Sequence, residues 1–407
     1  MHRRDHRLNT RRTVSARILV VFVAAATMAM GLSPGGTVGA AELSAGRVVV
    51  EYDGDAAALL ANPVVVAVTP VSPGRPYYVV ETSVPVDEAL SVLDRQSGVG
   101  WLEPVTGLVS PVASQGFLWA WGFLWAWGDP GWDPVAAAAA VQDQPAARWA
   151  REMVPISSTG APVVAVIDTG VDADHPLLAG HVLPGRDFVD GDYDASENPD
   201  GLDDDGDGLV DEADGHGTFV ASLVLAVAPD AMILPVRALT ADGNGDSEIM
   251  GAAVAWAFDQ GATVLNVSAG GPTRSRLLYE LTEEIDNAGS VVVAAAGNTF
   301  DDRKLYPAAR PQVVGVSATT ADGSALASFA NSGRWVDGYA PGVGLLGAGP
   351  DHSVISWDGT SGAAALASGL AARLAQTTPQ PASLRDSLSR LLAGADLAAA
   401  EDSGIED

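Results

Sequence analysis

Three short stretches carry the residue types that acyl transfer requires: "VVAVIDTGVDADHP" with Asp168, "DGHGTFVAS" with His216 and "DGTSGAAALASG" with Ser361. Such chemistry needs a hydroxyl nucleophile, an imidazole to take and return its proton, and a buried carboxylate that holds the imidazole tautomer and steadies its cation. Each of the three residue types, taken singly in a polar turn, is ordinarily just a turn residue. Their weight comes from occurring together, each at the end of a structural element. A fourth group joins them, because "AAAGN" closes an apolar run with Asn298, whose amide can donate to a developing oxyanion.

The elements that must position these groups follow from periodicity. From Ala136 onward the chain alternates: a helical "PVAAAAAVQDQPAARWA", a strand "PVVAVID", a helix entered at "GHGTFVASLVLAVA", and a strand "AMILPVRAL". A helix "SEIMGAAVAWAFDQG", a strand "ATVLNVS", a helix "RSRLLYELTEEIDNAG" and a strand "SVVVAAAGN" continue it. Strands that are nearly continuous apolar runs belong to a parallel sheet covered on both faces, so an α/β class with a mostly parallel central sheet is expected. Open sheets of that kind bind ligands at the carboxyl ends of their strands, where Asp168 and Asn298 fall. Ser361 precedes a run of small residues that reads as a helix, whose dipole favours negative charge at its start. Upstream, Arg47 to about Val109 reads as a small α+β unit of short strands and one helix, and "GFLWAWGFLWAW" is a direct duplication that reads as an apolar linker.

In order and in motif, the chain resembles the subtilisin-like serine peptidases: the four signatures are followed or accompanied by "VLNVSAGGP", "YPAARPQVVGVSATTADGSALASFANSG" and "APG" in the family's succession. The resemblance implies a three-layer subtilisin-like fold over roughly 130–395. It implies Asp168 as orienting carboxylate, His216 as general base and acid, Ser361 as nucleophile and Asn298 as oxyanion donor. It further implies that Ser268, Ala269 and Gly270 line the cleft and pair with an extended polypeptide substrate, with "ADGNGD" as the opposite rim. The segment before Ala113 resembles the family's propeptide, an intramolecular chaperone and inhibitor. This divides the chain into a signal peptide 1–40, a propeptide 42–112, a Trp-rich linker 113–135, a catalytic domain 136–395 and an acidic tail 396–407. The usual serine motif GTSMAxPxVAG is altered here, with Gly362 for Met and Ala365 for Pro, and the histidine motif carries Phe219 and Ser222. Glycine after the nucleophile raises the cost of starting a helix by about 1 kcal/mol relative to alanine.

The aspartates ahead of His216 suggest a cation. Asp203, Asp205, Asp207, Asp211 and Asp214, with Gly208, occupy the ligand positions of a calcium loop, although the last position is Asp where Glu is usual. No amphipathic helix precedes them, so a helix-loop-helix hand is not expected, and structural Ca²⁺ is the expected cofactor. A single imidazole without cysteine is a poor zinc site, which leaves His216 as a base. His175 and His181 lie outside the signatures and are expected at the surface.

Bulk properties limit the partners. A formal charge of −29 with 22 Lys and Arg against 51 Asp and Glu excludes a nucleic-acid binder, which needs clustered cations. Residues 1–17 are Arg-rich and precede an apolar stretch, Ile18–Leu32, too short for a comfortable span and followed by small residues. That is an export signal, so a secreted protein without a stable membrane anchor is expected. The absence of cysteine removes disulfides as a source of extracellular stability. Two rivals are an exported non-catalytic relative that only binds and an α/β-hydrolase esterase; the order Asp, His, Ser and the "GTSGA" context disfavour the esterase.

Overall fold

A computed structural model describes residues 46–110, 134–155, 160–204, 206–377 and 383–393. The expected signal peptide, nearly all of the Trp-rich linker and the acidic tail lie outside those residues.

The N-terminal module runs β1 (Arg47–Tyr52), α1 (Ala57–Leu60), β2 (Val65–Pro70), β3 (Tyr77–Thr82), α2 (Val86–Leu93), β4 (Val99–Pro104) and β5 (Gly107–Val109). Its antiparallel sheet has the order β2-β3-β1-β4. Alternation along β1 splits its side chains between two cores: Val48 and Val50 pack with Leu59, Val80 and Leu93, while Val49 joins Val79, Tyr77 and Trp101 in a core shared with the larger unit.

The larger unit begins with α3 (Pro134–Asp143) and α4 (Pro145–Met153). One helix was expected there. Pro145 has no N–H to continue the ladder, and it drives Gln144 to an extended ψ of 148°, so the chain breaks and restarts. Next come β6 (Val163–Asp168), β7 (Arg186–Asp187), α5 (His216–Val227), β8 (Met232–Arg237), β9 (Asn244–Asp246), α6 (Ser247–Asp259), β10 (Val264–Val267), α7 (Arg276–Asn287) and β11 (Val291–Ala295). The series ends with β12 (Val313–Thr319), β13 (Gly338–Pro341), β14 (Leu345–Gly349), β15 (Ser353–Trp357), α8 (Thr360–Ala375) and α9 (Leu384–Ala393).

Seven parallel strands form the central sheet in the order β13-β12-β11-β10-β6-β8-β7. Its strands are buried on both faces, as continuous apolar runs require: Val164 and Val166 of β6 enter a core with α5 and α8, whereas Ala165 and Ile167 enter one with α6 and α7. This is the three-layer α/β architecture expected. Helix α8 is buried from Thr360 to Arg373, and its small residues let it lie close to α5. A Cβ on Gly369, for example, would stand 2.5 Å from Val227 Cβ.

One close approach matters most for the site. Gly217, in the first turn of α5, faces the residue pair after β6 so tightly that any Cβ on it would overlap the Gly170 carbonyl oxygen. Gly170 itself has φ +127°, and a Cβ there would meet Ser196 O at 2.5 Å. Gly217→Ala is therefore expected to destabilise the chain by about 2–3 kcal/mol. Urea unfolding in a Ser361→Ala background checks this, and unchanged stability would refute the close approach.

Candidate active site

Asp168 ends β6, His216 opens α5, and Ser361 lies in the first turn of α8, so three different elements converge. His216 Nδ1 and Asp168 Oδ1 are 2.6 Å apart, with the two side chains 2% and 0% exposed. The same carboxylate oxygen accepts from Thr169 N at 2.8 Å. With a carboxylate oxygen as its partner, Nδ1 is the donor of this bond, and Nε2 is the ring nitrogen left for another partner. Gly215, the residue before α5, has no side chain to cap the helix, so the cap comes from elsewhere. Thr169 Oγ1 accepts from Gly217 N at 3.1 Å, and Glu197 Oε1 accepts from Thr218 N at 3.0 Å and Thr218 Oγ1 at 2.9 Å.

A small pocket gathers His216, Asn298, Trp357, Gly359 and Ser361. Asn298 Oδ1 accepts from Thr360 N and Thr360 Oγ1, both at 2.9 Å, which ties the end of β11 to the start of α8. Ser361 is 4% exposed, and its Oγ makes no hydrogen bond among the described residues. Nucleophile–base contacts are commonly long before a substrate is bound and tighten in its presence. Sequence reasoning had not pointed to Trp357. Its ring stands edge-on to His216 and to Phe219, with 5.3 Å between centroids in each pair.

The altered motif residues turn out to be one packing arrangement. A Cβ on Gly362 would come 2.5 Å from Leu345 Cδ1 and 3.7 Å from Phe219 Cε1, so the space a methionine would enter is held by Leu345 of β14 and by the Phe219 ring. Ser222 Oγ donates to Phe219 O at 2.7 Å and accepts from Ala348 N at 2.9 Å, fastening β14 to α5. Ala365 is fully buried within α8.

Ser268 is buried, with its hydroxyl accepting from Asn266 Nδ2 at 2.9 Å, and Ala269 is buried beside it. Gly270 presents its backbone instead. Its N–H donates to Val109 O at 2.9 Å and its carbonyl accepts from Val109 N at 3.1 Å. On the other side β5 pairs antiparallel with β9, and Ser110 N donates to Gly243 O at 2.7 Å. The chain's own Gly107–Ser110 thus lies as a strand between the two segments expected to be rims. Leu108, 2% exposed, packs into the core with Leu239 and Ala269.

The aspartates of the loop accept from the backbone that surrounds them. Asp203 accepts from Gly206 N, Asp207 N and Gly208 N, Asp207 from Leu209 N, and Asp211 from Asp200 N and Gly201 N. Desolvation, with Asp211 and Asp351 adding repulsion, pushes Asp214 up to about 6. Among the described residues no three His, Asp or Glu side chains gather as a cation site, and Asp205 lies outside them. The described carboxylates accept from backbone donors with lone pairs to spare, and no step below passes through an ion.

The expectation of a surface position for His175 is corrected. It is fully buried, with Nε2 3.0 Å from Ser353 O and Nδ1 accepting from Leu177 N at 3.1 Å, and desolvation lowers its pKa. His181 is half-buried, with Nδ1 3.1 Å from Ala231 O.

The sequence model of the subtilase family matches residues 159–398. Among curated proteins, the chain is 39% identical over 222 residues to a thermophilic serine proteinase of Bacillus sp. (strain AK1), covering 52% of this chain and 51% of that one. It is 34% identical to thermitase of Thermoactinomyces vulgaris over 54% of this chain and 77% of that one. With subtilisin E of Bacillus subtilis (strain 168) the identity is 33% over 54% of this chain and 57% of that protein. The match therefore spans about half the length of the first of these relatives.

Glu197 gives the site a measurable signature. Its carboxyl sits inside while the residue as a whole stays half-buried, and desolvation pushes it up to about 8, with Asp214 and Asp168 contributing repulsion. Between its ordinary value and about 8 the folded chain holds more protons than the unfolded one, so this contribution to stability is full at acid pH and is lost as pH rises through about 8. Glu197→Gln keeps an acceptor for Thr218 and is expected to flatten a decline of roughly 2–5 kcal/mol across that window. Urea unfolding at a series of pH values, in the Ser361→Ala background, reads it; an identical slope in both chains would sink the assignment.

Proposed function

The chain belongs to the subtilase family, and on that premise we propose that it is an exported serine endopeptidase that cleaves polypeptides through an acyl-enzyme on Ser361. The observation that carries the reading is the buried 2.6 Å contact between His216 and Asp168 in a pocket shared with Ser361 and Asn298.

A substrate strand takes the place of Gly107–Ser110, its backbone paired with Gly243 and Gly270. Ser361 Oγ attacks the scissile carbonyl carbon while His216 Nε2 accepts the hydroxyl proton. Asp168 holds the ring and stabilises the cation formed. The carbonyl oxygen, now an anion, receives hydrogen bonds from Asn298 Nδ2 and from Ser361 N in the first turn of α8, where the helix dipole adds to them. Collapse of the tetrahedral adduct passes the His216 proton to the leaving amine. Water, deprotonated by the same ring, then hydrolyses the ester and restores Ser361.

In this reading the N-terminal module is a propeptide whose last described strand blocks the cleft until it is cut. Its hold on the larger unit supports that role: Arg75 forks onto both Asp259 and Glu284, Tyr77 donates to Glu280, and Glu103 accepts from Ser275 Oγ and Leu277 N at the start of α7. Export rests on the Arg-rich and apolar N-terminal residues. Among the described residues no helix is long and apolar enough to cross a membrane.

The changed serine motif and the unbonded Ser361 Oγ favour one second reading, a relative that binds peptides without cleaving them. Intact mass and N-terminal sequence of the secreted protein separate the two. The wild type is expected to lose the segment before roughly residue 132, and Ser361→Ala to retain it, with kcat falling about 10⁶-fold. Asn298→Ala is expected to cost about 10²–10³-fold in kcat, the magnitude known for such a donor in subtilisin itself. If wild type stays full length and resists an organophosphonate, the binding reading replaces this one.

A further inference from the structure

The turn that bears Asn298 is held by a side chain outside every catalytic motif. Asn331, in the "SFANSG" stretch after β12, is fully buried. Its carboxamide oxygen accepts from Thr299 N and Thr299 Oγ1, both at 2.9 Å, and from Asp301 N at 3.2 Å. Its Nδ2 donates to Ala296 O at 3.0 Å, and its backbone N–H donates to Gly297 O at 3.0 Å. Ser317 Oγ of β12 donates to the Asn331 carbonyl, so the hub is tied to the sheet.

These bonds bracket Asn298 from both sides. Two carbonyls before it and two N–H groups after it are all bound to one residue: the Gly297 carbonyl by its backbone N–H, and the other three by a primary amide with donor and acceptor on one fork. Gly297, at φ +100°, makes the space: a Cβ there would lie 2.6 Å from Asn331 Nδ2. With its backbone so held, Asn298 turns Oδ1 onto Thr360, and its Nδ2 stands over Gly359, 3.4 Å from where a Cβ on that glycine would be.

We propose that Asn331 is a positioning residue for the oxyanion site, acting on the reacting carbonyl only through the orientation of Asn298. The inference rests on the peptidase reading above. An oxyanion donor acts on the transition state far more than on the bound substrate, and it is sensitive to small displacements. The substrate strand pairs with Gly243 and Gly270, which Asn331 does not touch. Loss of Asn331 should thus fall on kcat and spare KM.

The test compares Asn331→Ala and the milder Asn331→Ser with Asn298→Ala and the double variants, on a peptide substrate well below the unfolding temperature. We expect kcat to fall about 10–100-fold in the Asn331 variants with KM within about twofold, and less than about threefold further loss once Asn298 is already alanine. A packing role alone would instead repeat the full loss in the Asn298→Ala background, and that result, or an unchanged kcat, overturns the proposal. A readout independent of turnover accompanies it. The Asn298 side-chain amide signals in a ¹⁵N–¹H spectrum, assigned through Asn298→Ala, should shift in Asn331→Ser within a Ser361→Ala background. Unchanged signals overturn the positioning role whatever the chain catalyses, whereas a wild type lacking Ser361-dependent turnover counts against the peptidase reading alone.

Discussion

A carboxylate and an imidazole, 2.6 Å apart and almost wholly out of water, form the contact to which the rest of the site is subordinate. Taking a carboxylate out of water is costly unless hydrogen bonds replace its hydration; Asp168 receives His216 and the Thr169 N–H at Oδ1, while its Oδ2 is buried with no hydrogen-bond partner among the described residues. To bring the two together, the end of β6 and the first turn of α5 must approach more closely than any pair of side chains would permit. Gly170 and Gly217 are the consequence. So is the capping of α5 from outside, because Gly215 brings no side chain to the helix start and Thr169 and Glu197 take its N–H groups. Backbone sterics, helix capping and the orientation of the imidazole are therefore one problem with one solution.

Two of the scarce cations help to join the N-terminal module to the larger unit. In a chain with 22 basic and 51 acidic residues, Arg47 and Arg75 are both placed where the larger unit presents paired carboxylates. Exposed ion pairs stabilise little, but the Arg75 side chain is only 11% exposed and forks onto two carboxylates, which is the geometry that adds specificity. The strand that enters the slot uses backbone bonds to Asn244–Asp246 and Gly270. Recognition through backbone is indifferent to most side chains, which is what the proposed exchange of the chain's own segment for a substrate peptide requires.

Much of this was legible in sequence, for identifiable reasons. Continuous apolar runs at "PVVAVID" and "SVVVAAAGN" belong to strands covered on both faces, and their final residues fall at the carboxyl edge of a parallel sheet. The candidate catalytic groups therefore lie where pattern and topology meet. The break at Pro145 was also written in the sequence, since a proline cannot continue the helix before it. Sequence separated Gly362 and Phe219 as two unrelated departures, however, and the structure joins them across Leu345.

Asp168, His216 and Ser361 could be named from the linear chain because their types, order and flanking glycines are local properties. The roles of His175, Glu197, Trp357 and Asn331 could not. Each depends on a partner distant along the chain: Ser353 for His175, Thr218 for Glu197, His216 for Trp357, and the Ala296–Asp301 turn for Asn331. A polar residue in a loop has the same local signature whether it meets water or a buried amide. Only packing of the chain on itself decides which groups lose their water, and with it which of them must find a partner inside the protein.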